Sequence, residues 1–240
     1  MKLAVVTMAR DAEVWLRQTL PVWEQISDGI IALDDHSTDN TRQMLREAGA
    51  LIVESPQEEP AWGREAAPRA ALFDAFHKSD YDFGLWLDAD MIPARDPRPL
   101  LHEAITGVSF ALYDLWSPSH YREDGYWFGH RYPRTWLIRR PVPRFQADWN
   151  ERWMHCGHFP KNLVGGRIVR APLDYSLLHY AYSSPELRAR KLAAYRGVSA
   201  ALDDHERAHA ESIGDDAPCL KPLPFAPVWP LEFSSEPVLV

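Results

Sequence analysis

Asp88 and Asp90, separated by one residue, follow directly on the apolar run Phe83-Gly84-Leu85-Trp86-Leu87 and open into Met91-Ile92-Pro93. A second acidic pair, Asp34-Asp35, ends another apolar run, Gly29-Ile30-Ile31-Ala32-Leu33. Carboxylates with few soft neighbours suit a hard divalent cation, Mg2+ or Mn2+, rather than zinc. Such a cation bridges diphosphate oxygens and neutralises the charge that develops on a phosphate leaving group. The D-x-D triplet alone carries little weight, because Asp80-Tyr81-Asp82 is another in the same chain and short motifs recur by chance. Position distinguishes residues 88–90. They lie where a buried strand would end, whereas an isolated acidic triplet is ordinarily a solvated turn.

A competing motif lies near the C-terminus, where His205-Glu206-Arg207-Ala208-His209 matches H-E-x-x-H. On a helix, histidines four apart share a face and can bind zinc, with the glutamate as general base. Its flanks, Asp203-Asp204 before and Glu211, Asp215 and Asp216 after, have the composition of a solvated helix end. Only a proline-rich remainder, with Glu232, is left to supply a third ligand. A zinc metalloprotease is therefore a remote reading.

The elements that must position the acidic pairs are legible over the first hundred residues. Residues 3–7 form a β-branched apolar run, as in a strand buried on both faces. Val14, Leu16, Leu20 and Trp23 recur at helical spacing, with Asp11 available as N-cap. After the strand at 29–33, Ser37 to Asn40 cap a helix through Met44-Leu45 that Gly49 closes. Leu51-Ile52-Val53 is a third strand, 64–76 a helix with Pro68 in its first turn, and 83–87 a fourth strand. This alternation predicts an α/β fold with a mostly parallel sheet and right-handed crossovers. Ligands bind beyond the carboxyl ends of such strands, and those ends carry Thr7, Asp34-Asp35 and Asp88-Asp90.

Beyond about residue 105 the alternation stops. Residues 109–116, 135–139 and 177–180 are predicted as strands in a smaller mixed sheet, and 121–132 as an aromatic loop. One long helix is predicted over 186–211, and an extended strap from Pro218, where prolines crowd the chain. Thirteen of the 28 aromatic residues fall between Phe110 and Phe159. Most must fill a second core, but two or three of them (Trp116, Trp127 and Trp149) are expected to face a cleft, where rings stack on sugar faces or bases.

At 240 residues the chain is expected to be one domain. Residues 1–105 would bind donor, 106–185 would complete the metal and acceptor site, and 186–240 would form the C-terminal helix and tail. Hydrophobic residues at 46% and charged ones at 25% exclude wholesale disorder. Apolar runs reach only five or six residues where a membrane helix needs about 20, and no signal-peptide pattern opens the chain; peripheral membrane contact stays open. Two cysteines, Cys156 and Cys219, cannot build a disulfide framework, so a cytoplasmic setting is expected. A net charge of −8 disfavours nucleic acid as partner.

The segment Ile31-Ala32-Leu33-Asp34-Asp35-His36-Ser37-Thr38-Asp39-Asn40-Thr41 resembles the "DDGSTDNT" stretch of family 2 glycosyltransferases, which have the GT-A fold. Residues 7–13 are similar to that family's first strand-to-helix turn, Arg69-Ala70-Ala71 to its Ala-Arg-Asn region, and Leu87-Asp88-Ala89-Asp90 to its metal-binding D-x-D. Leu178-His179-Tyr180-Ala181-Tyr182, followed by Lys191 and Tyr195, resembles the "HY…K…Y" ending of small members, some of which decorate lipopolysaccharide cores. The resemblance covers 2–95 and 175–197 and is vague between.

The resemblance implies a transferase that moves a sugar from a nucleotide-diphosphate donor, UDP-sugar favoured, to a hydroxyl of a sugar, glycan or other acceptor, with inversion. Thr7 and Ala9 would line the donor site and Asp34 or Asp35 would accept from the base. Asp88 would hold ribose or metal, Asp90 and His179 would bind Mn2+ or Mg2+, and Arg69 and Lys191 would face phosphate. Two departures stand out: His36 replaces the usual Gly, which makes a positive φ less accessible, and Ala70 replaces the usual Asn. The absence of Q-x-x-R-W argues against a processive synthase. Inversion needs a base for the acceptor proton; the usual Glu is missing near 153–158, leaving Asp148, Glu151, His155 and His158, with Asp148 preferred. A nucleotidyltransferase and a degenerate nucleotide-sugar-binding module are the alternatives, the former weakened by the glycine-free turn Met8-Ala9-Arg10-Asp11.

Overall fold

A computed structural model describes residues 1–60, 64–142, 144–149, 157–163, 166–198 and 202–229. In chain order the strands are β1 (Leu3–Ala9), β2 (Gly29–Asp34), β3 (Leu51–Val53), β4 (Phe83–Trp86), β5 (Met91–Pro93), β6 (Gly107–Phe110), β7 (Leu112–Asp114), β8 (His120–Arg122), β9 (Arg134–Arg139), β10 (Ile168–Arg170), β11 (Leu177–His179) and β12 (Leu220–Pro222). The helices are α1 (Glu13–Ile26), α2 (Thr41–Glu47), α3 (Ala66–Lys78), α4 (Pro185–Gly197) and α5 (Asp204–Glu211). Seven strands form the main sheet in the order β10-β6-β9-β4-β1-β2-β3. Neighbours from β4 to β3 are parallel, and β9 runs antiparallel between β4 and β6.

The central strands are apolar on both faces because both are covered. Leu3 and Val5 of β1 join the core under α1, with Leu16, Leu20 and Trp23, while Ala4 and Val6 face Leu72, Phe73 and Phe76 of α3. β2 divides the same way, with Ile30 and Ala32 on one side and Ile31 and Leu33 on the other. Each fully buried large side chain contributes on the order of 1.5–3 kcal/mol. Gly84 in β4 is required by close approach: a Cβ there would lie 3.0 Å from the Phe76 ring and 3.1 Å from Trp86 Nε1.

The sequence between β5 and β11 does more than one strand could. The apolar run 109–116 is divided between two sheets, Phe110 ending β6 in the main sheet and Leu112 opening β7 in a three-stranded sheet of order β5-β11-β7. Its apolarity continues through the hand-over at Ala111, so periodicity alone could not show the change of partner. The register of β6 against β9 shifts between Val108 and Ser109, which pair with Leu137 and Thr135. Trp136 is thereby left as the extra residue of a bulge, a device that re-aims side chains.

The long helix expected over 186–211 is instead two. α4 ends at Gly197, and α5 starts anew from a capping box in which Asp203 accepts from Glu206 N–H while Glu206 accepts from Asp203 N–H. Both stop and start signals are present in the sequence. The 121–132 loop contains β8, which pairs with β12 of the tail. The strap from Pro218 lies on the body as expected: Leu223 N–H donates to Ser119 O at 2.9 Å, Val228 N–H to Ala94 O at 3.0 Å and Trp229 Nε1 to Pro93 O at 2.8 Å. No helix is long and apolar enough to cross a membrane among the described residues.

Candidate active site

The carboxyl ends of β1, β2 and β4 lie side by side, and the turns that follow β1 and β2 are tied together. Asp11 does not cap α1; it sits at φ 44°, and its Oδ1 accepts from Thr38 N–H at 2.7 Å and from the Thr38 hydroxyl at 3.1 Å. The first amides of α1 are satisfied from the other turn, Ala12 N–H by Thr41 Oγ1 at 2.7 Å and Glu13 N–H by Asp39 at 3.1 Å. Glu13 in turn accepts from the Asn40 backbone and side chain. The Ser-Thr-Asp-Asn-Thr segment thus braces two turns at once, and that explains its composition. His36 takes φ 59°, so the position keeps the left-handed backbone that glycine would favour; its Nε2 lies 2.9 Å from Gln57 O.

Within this rim Thr7, Asp34, Asp35 and Asp90 are all buried. Asp35 N–H donates to Ala9 O at 2.8 Å, which fixes the pair across the β1–β2 junction. Asp34 Oδ2 stands 3.7 Å from the Arg42 guanidinium. Three buried oxygens, Thr7 Oγ1, Asp34 Oδ1 and Asp90 Oδ1, have no hydrogen-bond partner among the described residues. Buried polar atoms are seldom left unpaired, and here they cluster where ligands bind in such sheets.

The three-stranded sheet brings the late histidine to the early aspartate. β11 pairs His179 with Met91 on one side and with Asp114 on the other. His179 Nδ1 lies 2.7 Å from Asp114 Oδ1, and Nε2 is directed to Asp90 Oδ2 at 3.4 Å. Lys191 of α4 donates to the same Asp90 oxygen at 3.1 Å, and Tyr180 N–H holds the Asp90 carbonyl at 2.7 Å. Burial pulls the His179 imidazole down, but the Asp90 and Asp114 carboxylates outweigh it and hold its pKa up at about 9. Burial likewise opposes ionisation of Asp90, yet Lys191 and His179 keep its carboxyl well below the usual range. Burial works against the Lys191 ammonium, and Asp90 raises it nonetheless.

These donors fit a hard or borderline cation. Asp90 keeps one unpartnered oxygen, His179 presents Nε2 with its other nitrogen anchored by a carboxylate, as is usual for a metal-binding imidazole, and Asp88 stands half-buried beside them. Among the described residues no three His, Cys, Asp or Glu side chains form a ready-made cage, so a ligand's own oxygens would have to complete the coordination.

On the β9 side of Asp88 opens a cavity of about 860 Å3 whose walls include Arg69, Arg134, Trp136, His158 and Phe159. Arg69 bonds Glu65 at 3.1 Å and donates to His158 Nδ1 at 2.8 Å. A guanidinium has no acceptor, so His158 carries its ring proton on Nε2 and presents a donor there. Asp148 does not line this cavity; it is exposed and pairs with Lys161 at 3.0 Å. Glu151 and His155 lie outside the described residues.

Several expectations are corrected. Trp116 and Trp127 do not face a cleft: both are buried, packed with Tyr182 and with the guanidinium of Arg122, itself buried, at 4.9 and 5.3 Å from the two rings. Trp149 packs edge-on against Phe73. The histidines of H-E-x-x-H are packing groups, His209 stacked on Tyr126 and against Trp127, and His205 edge-on to Tyr126. Glu232 lies outside the described residues. Asp114 escaped the sequence reading because it lies inside the apolar run 109–116, between Tyr113 and Leu115, and does not end it as Asp34 and Asp88 end theirs.

Comparisons with known proteins agree with this architecture. No curated protein matches the chain in sequence. Among solved structures, S. aureus TarS 1–349 in complex with UDP is 14% identical, with 89% of this chain and 69% of that one covered and a TM-score of 0.52. TarS itself is 16% identical over 89% of this chain and 42% of that one, TM-score 0.49, so the chain spans less than half its length. The mannosyltransferase PcManGT from Pyrobaculum calidifontis, in complex with GDP-Man and Mn2+, is 13% identical over 88% of this chain and 69% of that one, TM-score 0.48. At such identities the likeness is one of fold, GT-A. The family model described as glycosyl transferase family 2 matches residues 5–160, and the chain belongs to that family.

Proposed function

We propose that the protein transfers a sugar from a nucleotide-diphosphate donor, UDP-sugar favoured, to an acceptor hydroxyl with inversion at the anomeric carbon. The observation that carries this reading is the trio of buried oxygens on Thr7 of β1, Asp34 at the end of β2 and Asp90 in the turn after β4, which have no hydrogen-bond partner among the described residues, with acidic groups on both sides of β1. The fold shared with TarS, whose structure holds UDP, supports the choice of nucleotide.

In this reading Thr7 and the Ala9 backbone form the floor of the donor site, and Asp34 and Asp35 accept hydrogen bonds from base and ribose. Asp88, Asp90 and His179 would hold Mn2+ or Mg2+. When bound, such an ion neutralises the diphosphate and so favours its departure. Lys191, held at Asp90, adds a fixed positive charge, and Asp114 positions His179 by fixing which ring nitrogen faces Asp90. Arg69, held by Glu65 and by its bond to His158, places a fixed positive charge at the boundary between donor rim and cavity. The acceptor hydroxyl loses its proton to a base in the 148–158 segment. His158 is poorly suited while Arg69 donates to its Nδ1, so the carboxylates Asp148 and Glu151 and the imidazole of His155 are the candidates.

The test is a thermal-shift panel of UDP- and GDP-sugars with and without Mn2+, on wild type and Asp34→Asn. One donor should raise the melting temperature only with the metal, and less in the variant. No shift for any donor would contradict the reading. A shift without sugar release to any acceptor or water would indicate a binding module, and formation of nucleoside triphosphate and sugar 1-phosphate on addition of pyrophosphate would indicate a nucleotidyltransferase.

A further inference from the structure

The cavity beside Asp88 carries a charge that the rest of the molecule does not. The protein's net charge is −8, yet four guanidinium groups line this cavity, from Arg69, Arg134, Arg139 and Arg140, against one carboxylate, Asp88. Arg69 is paired with Glu65. Arg139 and Arg140 donate to backbone carbonyls, of Glu103 and Tyr81, which satisfy geometry without cancelling charge. The side chain of Arg134, exposed at the rim end of β9, makes no hydrogen bond or ion pair among the described residues.

Position assigns this cavity to the acceptor rather than the donor. The base and ribose groups Thr7, Asp34 and Asp35 sit on β1 and β2, and β4 with Asp88 separates them from β9. Arg134 opens β9, antiparallel to β4, and so stands at the same end of the sheet as Asp88. Trp136, turned by the β-bulge and almost wholly buried, walls the cavity next to His158, its ring 4.7 Å from that imidazole. Arg139 and Arg140 lie about 15–20 Å farther along β9, beyond the reach of a monosaccharide held at the rim.

Resting on the glycosyltransferase reading above, we propose that the acceptor bears an anionic group, a phosphate ester or a carboxylate, which Arg134 receives beside Asp88. The planar guanidinium fork matches both oxyanions, and a cleft of one sign concentrates ligands of the other.

The test is direct binding followed by tryptophan fluorescence and calorimetry, with glucose, glucose 6-phosphate, glucuronate and inorganic phosphate as probes, and UDP with Mn2+ as a separate ligand. Glucose 6-phosphate or glucuronate should bind saturably where glucose does not, and the stronger of the two tells phosphate from carboxylate. Arg134→Gln should weaken that binding at least about tenfold, while Arg144→Gln, outside the cavity, should not. UDP binding should survive in Arg134→Gln, which also reports that the variant is folded. Equal behaviour of glucose and the charged probes, or unchanged affinity in Arg134→Gln, would overturn the proposal. So would competition between UDP and glucose 6-phosphate, which would give the cavity to the donor diphosphate. Anion binding without any UDP binding would leave the anion site standing and contradict the donor reading instead.

Discussion

Asp90 is enclosed by Lys191 and His179, with Tyr180 N–H on its own carbonyl. Removing one charge from such a buried set leaves the others uncompensated, which commonly costs about 3–5 kcal/mol. Asp90→Asn should therefore lower unfolding free energy by about 3 kcal/mol in urea titration, besides abolishing transfer; a change under about 1 kcal/mol would mean the cluster is more hydrated than its burial implies. Asp114→Asn keeps the shape but weakens the anchor on His179 Nδ1. Loss of such an outer partner typically costs 10–100-fold in metal affinity, so Mn2+ titration should register that loss with metal-free UDP binding unchanged. For the base, at least one of Asp148→Asn and Glu151→Gln should reduce kcat about 100-fold at saturating donor; if both stay within threefold, the proton goes elsewhere. The acidic residues at strand ends were legible in the sequence because they interrupt apolar runs. The role of Asp114 was hidden, since only the pairing of β11 with β7 brings it to His179.

At the scale of elements, the first four strands and three helices could be read from periodicity because each is covered by its sequence neighbours. The second half could not, because its partners are remote: β7 pairs with β11, and β8 with β12 of the tail. Short strands with no covering helix between them leave no local trace of where one sheet ends and the next begins. The break between α4 and α5 was available in Gly197 and the Asp203–Glu206 capping box, and was overlooked because the charged composition continues across it. Gly84 marks where α3 is seated on β4. Gly84→Ala forces the Phe76 ring to shift, an overpacking that typically costs about 1–3 kcal/mol, or roughly 2–4 °C in Tm per kcal/mol at this size. A melting temperature equal to wild type would show that the α3 interface is looser than the 3.0 Å approach indicates.

Over the whole molecule, charge is sorted by site. Carboxylates gather at the ends of β2 and β4 in a protein of net −8, guanidinium groups gather along β9, and Asp88 lies on the boundary. The C-terminal strap and α4 hold the two ends of β5: Trp229 is tied to Pro93, its last residue, and Lys191 to Asp90, just before its first. Both ends of the chain's second half thus brace the one short segment that carries the candidate metal ligand. The most direct test of this arrangement is calorimetric titration of UDP into wild type and His179→Gln, each with and without Mn2+. Metal should tighten UDP binding at least tenfold in wild type and by less than about twofold in the variant. Equal binding of UDP with and without Mn2+ in wild type would contradict the assignment of Asp90 and His179 as a joint metal and diphosphate site.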